Sequence, residues 1–198
     1  MPTDSSGKLI IVSGPSGAGK TTVLRRVFES APVPLVASVS ATTRPPRPDE
    51  VDGVDYHFLS TGDFHARRKR GDFIECFPVF GHDCWYGTLL EEVTSGLADG
   101  KWVVLGIDVQ GAGVVMERYP DAVSIFLCPS SVEEIERRLR DRRTETEEAI
   151  QRRLARAKEE IAFADQYRYR VVNNELDHAV REICDILTKE SEADRDVR

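Results

Sequence analysis

The sequence predicts an α/β fold, a parallel β-sheet flanked by helices, and three observations predict it. Short apolar runs alternate along the chain with segments whose apolar residues recur at helical spacing. The first apolar run passes through a glycine-rich loop directly into such a segment. The runs are continuous, which is typical of strands that are buried on both faces, as the strands of parallel sheets are.

The apolar runs locate the strands, and the helical spacing locates the helices. Strands are expected at residues 8–12, 35–39, 102–107, 123–127 and 169–172. Helices are expected at residues 21–28, 110–118, 132–140, 145–167 and 176–189. Two helices are expected to open with capping boxes, in which each side chain bonds the other residue's backbone N–H. These are Ser131 with Glu134 and Thr144 with Glu147.

A long stretch, residues 40–95, breaks this alternation. It is rich in aromatic residues, glycine and charge, and it contains strand-like pieces at 55–59 and 72–79. We therefore expect a core domain of residues 1–39 and 96–198 and an inserted lobe of residues 40–95. The charged tail after Lys189 is expected to fray.

Composition excludes several classes of protein. The chain has 198 residues, of which 40% are hydrophobic and 31% charged, as expected of one soluble globular domain with inserted lobes. No apolar run approaches the roughly 18 residues of a membrane span, and the N-terminus lacks the pattern of a signal peptide. We therefore expect a cytoplasmic protein without a membrane partner. The four cysteines form no C-x-x-C pair and have no histidine at metal-binding spacing, which favours reduced thiols.

Charge is distributed unevenly along the chain. The net charge of −7 argues against a nucleic-acid partner, which usually needs a basic face over a whole domain. Basic residues nevertheless cluster, and we expect an acidic protein to use some of them on a specific anion. The cluster at residues 67–70 is expected to lie in solvent. The same default, or pairing with Glu145, Glu147 and Glu148, applies to Arg137, Arg140, Arg143, Arg152 and Arg156.

Residues 14–21, GPSGAGKT, match the phosphate-loop pattern G-x-x-x-x-G-K-[ST] and lie between a predicted strand and a predicted helix. Glycines let backbone N–H groups turn towards phosphate oxygens, and the helix N-terminus adds its positive end. Lys20 is expected to reach the β and γ phosphates, and the Thr21 hydroxyl to bind Mg²⁺. The sequence thus predicts a P-loop NTPase-type sheet that binds a nucleoside triphosphate. The loop alone does not name the acceptor, because motors, GTPases and small-molecule kinases share it.

A second motif, SATTRPPRP at residues 40–48, places two arginines on a loop that three prolines stiffen. Together with GPSGAGKT, the ordered motifs SVSATTRPPRPDEVDGVDYHF, FIE, WYGT, IDVQG and RRLRDRRTETEE resemble the guanylate kinase family. The match runs in order over nearly the whole chain. The resemblance implies phosphoryl transfer from ATP to GMP, with the inserted lobe binding GMP and a helical lid at about residues 137–155.

The resemblance also implies roles for individual residues. The ATP-binding residues would be Gly14, Pro15, Ser16, Gly17, Ala18, Gly19, Lys20, Thr21, Thr22 and Asn173. The GMP-binding residues would be Ser40, Arg44, Arg47, Tyr56, Glu75, Tyr86, Gly87, Thr88 and Asp108. The catalytic residues would be Lys20, Arg44, Arg138, Arg142 and Arg153. The expected partners are ATP, GMP and dGMP, with Mg²⁺ as cofactor and Thr21 as its ligand.

The chemistry of this reaction fits such a set of residues. A nucleoside monophosphate has a second pKa near about 6, so its attacking oxygen is already largely ionised at neutral pH. The remaining need is for cations that align two anions, and fixed arginines do this through bidentate contacts. A carboxylate such as Glu75 accepts both N–H groups on the Watson–Crick edge of guanine, whereas adenine would leave it buried and unpaired.

The chain departs from the family pattern near the implied GMP site. Gly106 stands where the family usually has the first acid of L-D-I-D, and the loop VFGHDCWYGT is two residues longer than usual. We hypothesise that Asp83 or His82 occupies the space at Gly106; a neutral loop extension is the alternative. Asp49 replaces a glycine of the arginine motif. The lid has Asp141 and Arg143 on either side of Arg142, where the family has glycines.

Two other functions compete with GMP phosphorylation. One is a kinase for another phosphorylated small molecule, such as ribose 1,5-bisphosphate, which should lack the TTRPPRP and FIE motifs. The other is a catalytically weak guanylate-kinase-like module that binds phosphopeptides, which should have a degraded phosphate loop. Both sets of motifs are intact in this chain.

Overall fold

A computed structural model of the protein describes residues 7–78, 84–141 and 146–196. Within these ranges it has both strands and helices, and the predicted α/β fold class is confirmed. The strands are β1 (Lys8–Ser13), β2 (Leu35–Ala37), β3 (Ala41–Thr42), β4 (His57–Phe58), β5 (Phe73–Pro78), β6 (Trp85–Leu89), β7 (Trp102–Gly106), β8 (Val123–Pro129) and β9 (Tyr169–Asn173). The helices are α1 (Lys20–Ser30), α2 (Thr61–Arg70), α3 (Leu90–Ala98), α4 (Val109–Arg118), α5 (Val132–Asp141), α6 (Glu147–Ile161) and α7 (Leu176–Asp196), with a 3₁₀ helix at Ala162–Gln166.

The larger sheet has five strands in the order β2-β7-β1-β8-β9. β1 pairs with β8 in parallel, with Ile10 opposite Val123, and β8 pairs with β9 in parallel, with Ile125 opposite Tyr169. Five of the six residues of β1 and six of the seven residues of β8 are buried. This burial explains why both strands are continuous apolar runs in the sequence.

The smaller sheet has four strands in the order β4-β3-β6-β5. β6 runs antiparallel to both of its neighbours, whereas β3 and β4 are parallel. A separate hydrophobic cluster packs beside it, formed by Ala41, Phe64, Phe73 and Leu89. The rings of Phe64 and Phe73 stack at 4.5 Å, so helix α2 is tied to strand β5. Every strand of this sheet falls within residues 40–95.

The chain divides into two compact units. The first contains Val36–Leu105 and Gln110–Ala122 with the residues up to Leu9, and the second contains Ile10–Leu35, Gly106–Val109 and the residues from Val123 onward. The small sheet belongs to the first unit and the phosphate loop to the second. The predicted limits of the inserted lobe, residues 40–95, stay a prediction.

Helices α2 and α3 and strands β3 and β6 were not predicted. Helix α2 nevertheless has clear signals, since the Ser60 hydroxyl accepts a bond from the backbone of Asp63 and Gly71 ends the helix at φ 79°. In β6, Gly87 interrupts the apolar pattern. Glycine is required at this position because an added Cβ would lie 2.8 Å from the Cβ of Cys76.

Three predicted helix limits were wrong. The helix predicted at residues 145–167 ends at Ile161, and a 3₁₀ helix follows it. Helix α6 begins at Glu147, and its N-cap is Thr146, whose hydroxyl accepts a bond from the backbone of Ala149. Thr144, the cap predicted instead, lies outside the described residues. Helix α7 continues past Lys189 because Glu190 is buried and accepts a bond from the Tyr169 hydroxyl at 2.5 Å. The other predicted cap is present, since the Ser131 hydroxyl accepts a bond from the backbone of Glu134.

Among the described residues, no helix combines the length and the apolar character needed to cross a membrane.

Candidate active site

The phosphate loop connects β1 to α1 and has the backbone that its glycines allow. Gly19 is the N-cap of α1 with φ 90°, and a Cβ added there would lie 2.6 Å from the side-chain nitrogen of Asn173. The first turn of α1, which carries Thr21 and Thr22, has no acidic residue, so its positive end is not neutralised locally. The loop is therefore built to receive an anion.

Lys20 bends back over this loop. Its ammonium group donates to the carbonyl oxygens of Gly14 at 2.6 Å and Pro15 at 3.4 Å. Burial lowers the pKa of Lys20, while the nearby carboxylates of Glu160 and Asp108 oppose this shift. The ammonium group thus lies among carbonyl and carboxylate oxygens, which phosphate oxygens can replace.

Arg138 contacts the phosphate loop and the end of strand β9. Its guanidinium donates to the carbonyl oxygens of Ala18 at 3.4 Å and Asn173 at 3.1 Å, and to the carboxylate of Glu134 at 2.7 Å. Arg137 and Arg138 lower the pKa of Glu134 to about 2, so its carboxylate stays charged. Asn173 supports the same loop residue, because its side-chain amide donates to the carbonyl of Ala18 at 2.7 Å.

Arg153 contacts the middle of the loop. Its guanidinium donates to the hydroxyl of Ser16 from Nε at 3.2 Å and from Nη2 at 2.5 Å. Two of the three arginines predicted for the lid are therefore placed against the phosphate loop. The third, Arg142, lies outside the described residues.

Arg156 was predicted to lie in solvent or to pair with Glu145, Glu147 or Glu148, and this was wrong. Its Nε donates to Glu160 at 2.8 Å and its Nη2 lies 3.6 Å from Asp108. Glu160 in turn accepts the backbone N–H of Ser16 at 3.1 Å. The sequence signal was the i,i+4 spacing of Arg156 and Glu160 on one helix. By contrast, the predicted pairing of Arg140 with Glu147 is confirmed, at 2.5 Å.

The predicted guanine-reading residues lie side by side on the small sheet. Glu75 on β5 is opposite Thr88 on β6, and the buried Thr88 hydroxyl donates to the Glu75 carboxylate at 2.6 Å. Ser40 immediately precedes Ala41, which pairs with Gly87. Three polar side chains thus come from three adjacent strands or their ends.

A second group of predicted residues surrounds Arg44. Its Nε donates to the Tyr86 hydroxyl at 2.9 Å, and its guanidinium lies 5.5 Å from the ring of Tyr56. The Arg44 side chain is only 17% exposed, whereas that of Arg47 is 74% exposed. Burial raises the pKa of Tyr56, so its hydroxyl keeps its proton and can donate.

Glu50 organises this group, and sequence reasoning gave it no role. One carboxylate oxygen accepts from Arg44 Nη2 at 2.9 Å, and the other accepts the backbone N–H of Arg47 at 2.8 Å. The bond from Arg44 lowers the pKa of Glu50, and the same bond raises the pKa of Arg44. Glu50 lies in the same motif as Arg44 and Arg47, and this position is the sequence signal that could have identified it.

Gly106 needs no special backbone geometry. A Cβ added there would lie 2.9 Å from Cδ1 of Leu24, the end of a flexible side chain that can turn away. An acidic residue would therefore fit at this position. Asp83 and His82, which were predicted to fill the space, lie outside the described residues.

A phosphate loop between a parallel strand and a helix, contacted by arginines from α5 and α6, defines a P-loop kinase class of protein. The model of the family described as guanylate kinase matches residues 6–190. A guanylate kinase of Rhodopirellula baltica is 51% identical over 93% of this chain and 89% of its own length. One from a Nostoc species is 47% identical over 90% of this chain and 88% of its own length. The chain belongs to the guanylate kinase family.

A solved structure supports the same assignment. The crystal structure of guanylate kinase from Anaplasma phagocytophilum superimposes with a TM-score of 0.76 at 32% identity. The match covers 94% of this chain and 87% of the other.

Proposed function

We propose that this protein is an ATP-dependent guanylate kinase, which transfers the γ-phosphoryl group of MgATP to GMP to give ADP and GDP. The main observation in support is that one compact unit contains both a carboxylate suited to bind guanine and a group of side chains suited to bind a phosphate. Glu75 with Thr88 provides the first, and Arg44 with Tyr86 and Glu50 provides the second. Family membership supports the same conclusion.

On the acceptor side, Arg44 and Arg47 are proposed to bind the GMP phosphate, with the hydroxyls of Tyr56 and Tyr86 donating to the same oxygens. Glu75 accepts the two N–H groups of guanine, assisted by Ser40 and Thr88. Because the phosphate is largely ionised at neutral pH, these groups align and screen it rather than deprotonate it. Asp108 is proposed to contribute to GMP binding on sequence grounds.

On the donor side, residues 14–22 are proposed to surround the ATP phosphates, with the backbone N–H groups of residues 17–22 donating to them, and Asn173 is proposed to lie near the adenine. Lys20 exchanges its bonds to the Gly14 and Pro15 carbonyls for phosphate oxygens. Arg138 and Arg153, already against the loop, stabilise charge on the transferred phosphoryl group. Arg142 is proposed to join them on sequence grounds, as part of a lid at about residues 137–155.

Magnesium is proposed as the cofactor, and the donor set fits it. Mg²⁺ usually keeps several waters and binds through one or two protein oxygens plus substrate phosphates. Within residues 7–78, 84–141 and 146–196, no group of three or more His, Cys, Asp or Glu side chains forms a metal cage. Thr21 at the start of α1 would hold the ion. When bound, it neutralises charge on the ATP phosphates.

We further propose that residues 40–95 act as the GMP-binding lobe and that the protein works in the cytoplasm. All four cysteines are free, and reduced thiols are the rule in that compartment.

The test is a coupled ADP-release assay with GMP, dGMP, AMP, UMP and ribose 1,5-bisphosphate as acceptors. We expect the highest kcat/KM with GMP, a measurable value with dGMP, and values at least about 1000-fold lower with AMP, because the edge of adenine does not offer Glu75 the two adjacent N–H donors of guanine. A preference for ribose 1,5-bisphosphate would identify a different kinase. Absence of ADP release with every acceptor would favour a binding module.

A further inference from the structure

Glu160 is one of two buried carboxylates among the described residues, at 6% exposure, and it lies beside the phosphate loop. The other, Glu190, bonds Tyr169 and Arg168 and ties α7 to β9. Burying a carboxylate carries a large desolvation penalty, which hydrogen bonds and ion pairs to its oxygens must offset. The partners of Glu160 therefore indicate what the carboxylate does.

Its two oxygens have different partners. Oε2 accepts the backbone N–H of Ser16 at 3.1 Å, and Oε1 accepts Nε of Arg156 at 2.8 Å. Arg156 is held from its other side, since its Nη2 lies 3.6 Å from Asp108. The carboxylate is thus anchored by its own helix and presents one oxygen to the loop.

Ser16 is held at both its backbone and its side chain by helix α6. Glu160 bonds its N–H, and Arg153 bonds its hydroxyl. Ser16 lies between Gly14 and Gly17, both at positive φ, so this part of the loop has unusual conformational freedom. Holding Ser16 reduces the entropy that the loop must lose when it closes around a phosphate.

We propose that Glu160 is a positioning residue for the phosphate loop: by fixing the backbone of Ser16, its buried carboxylate raises the affinity for ATP. The proposal deepens the function proposed above and rests on it for the identity of the donor nucleotide. Glu160 acts through Ser16 and does not touch the nucleotide itself. Arg156 neutralises the charge of the Glu160 carboxylate, which reduces its repulsion of the ATP phosphates.

The experiment compares three substitutions at one position by direct titration of the full-length protein with MgADP and MgATP. Glu160→Met keeps the volume and removes both acceptor oxygens. Glu160→Gln keeps an acceptor for Ser16, and Glu160→Asp keeps the charge but withdraws it by one methylene group. Thermal melting without nucleotide and steady-state KM for ATP and GMP are measured on the same samples.

We expect Kd for both nucleotides to rise about tenfold in Glu160→Met and about threefold to tenfold in Glu160→Asp, the scale of a lost hydrogen bond. Glu160→Gln should stay within threefold of the wild type, and KM for GMP should stay within twofold in every variant. Tm should fall in Glu160→Met, because the Arg156 Nε and the Ser16 N–H lose their acceptor. Nucleotide affinity is therefore titrated at a temperature well below the Tm of every variant.

Unchanged nucleotide affinity in Glu160→Met would overturn the proposal. So would an affinity loss in Glu160→Gln as large as that in Glu160→Met, or an equal rise in KM for GMP. Should Glu160→Met fail to fold, wild-type affinity in Glu160→Asp overturns it alone. Because nucleotide binding is measured without an acceptor, failure of this proposal is distinguishable from failure of the wild type to phosphorylate GMP.

Discussion

The residues proposed to bind ATP and those proposed to bind GMP are held by contacts that differ greatly in their separation along the sequence. Around Arg44, the organising carboxylate is Glu50, six residues along the chain, and it also bonds the backbone of Arg47, three residues away. Around the phosphate loop, Ser16 is held by Glu160 and Arg153, which are 144 and 137 residues away. The acceptor clamp is therefore built mainly by local sequence, and the donor loop by the tertiary fold.

This difference has a consequence for preorganisation. Arg44 is held by a carboxylate only six residues away, so its position requires only that its own loop and the small sheet are formed. We therefore expect GMP binding to immobilise few additional side chains. A loop held by a distant helix depends on the packing of that helix, so changes in α5 or α6 alter ATP affinity without touching the nucleotide.

The largest effect is expected from Arg44→Gln, which removes the charge at the centre of the acceptor clamp. The kcat/KM for GMP should fall about 100-fold, since a charge-assisted bond is worth about 1.5–3 kcal/mol. KM for ATP should stay within twofold. The matched control is Arg70→Gln, which breaks only the surface pair with Asp72, and steady-state kinetics of both variants make the comparison. Equal losses in the two variants would contradict the role of Arg44.

Glu50→Ala should raise KM for GMP about tenfold, because Arg44 and the backbone of Arg47 both lose an acceptor. Glu50→Gln keeps an acceptor and should cost only about twofold to threefold. The measurement is KM for GMP at saturating ATP. A lower KM in Glu50→Ala would mean that repulsion between Glu50 and the phosphate outweighs the ordering of the clamp.

On the donor side, Glu134→Ala releases Arg138 from its carboxylate partner and should lower kcat/KM for ATP about fivefold, within the range of a charged hydrogen bond. Glu136→Ala is the matched control, since Glu136 pairs with Arg140 on the exposed side of the same helix. Kinetics with ATP varied and GMP saturating check the result. Similar losses in both variants would assign the effect to helix stability.

The same carboxylate gives a pH prediction. Arg137 and Arg138 hold the pKa of Glu134 at about 2 in the folded protein, below its ordinary value of 4.5. A depressed folded-state pKa contributes stability that is present above pH 4.5 and is lost as pH falls towards 2. Urea unfolding should therefore show a gap between wild type and Glu134→Ala that narrows below pH 4.5. A gap that is constant from pH 7 to pH 3 would contradict this coupling.

The smallest effect is expected from Gly106→Asp, which restores the acid that the family usually has. Because Leu24 can turn away from the new side chain, the variant should fold, and KM for GMP should fall about twofold to threefold. Gly106→Asn has a similar volume without the charge and should leave KM unchanged. Identical kinetics in the two variants would show that the charge at this position is not used.

The sequence predicted the fold where its signals are local. The strand, glycine loop and helix at residues 8–30 follow from apolar patterning and the phosphate-loop motif, and the strands of the large sheet follow from continuous apolar runs. Strand β6 was missed because Gly87 and Thr88 interrupt its pattern, although both are needed beside Glu75. Helix α6 was predicted to start too early because two nearby threonines can serve as its N-cap. Thr144 has capping-box spacing to Glu147, but the N-cap in the structure is Thr146.

In the candidate site, too, the residues in local motifs were predicted and those placed by tertiary packing were not. Arg44, Glu75 and Lys20 lie within short motifs, so sequence reasoning named them. Glu160 and Arg156 lie on a helix whose charged residues resemble an ordinary solvated face, and nothing near them in the sequence indicates Ser16. Their placement depends on packing of α6 against a loop formed some 140 residues earlier in the chain, a contact that periodicity and local motifs do not encode.

The most direct test of the function is the ratio of kcat/KM for GMP to that for AMP, measured in the wild type and in Glu75→Gln. We predict a wild-type ratio of at least about 1000, and a ratio about 100-fold lower in Glu75→Gln, since the amide no longer accepts both N–H groups of guanine. KM for ATP should stay within twofold. An unchanged ratio in Glu75→Gln, or comparable wild-type activity with AMP, would contradict the account.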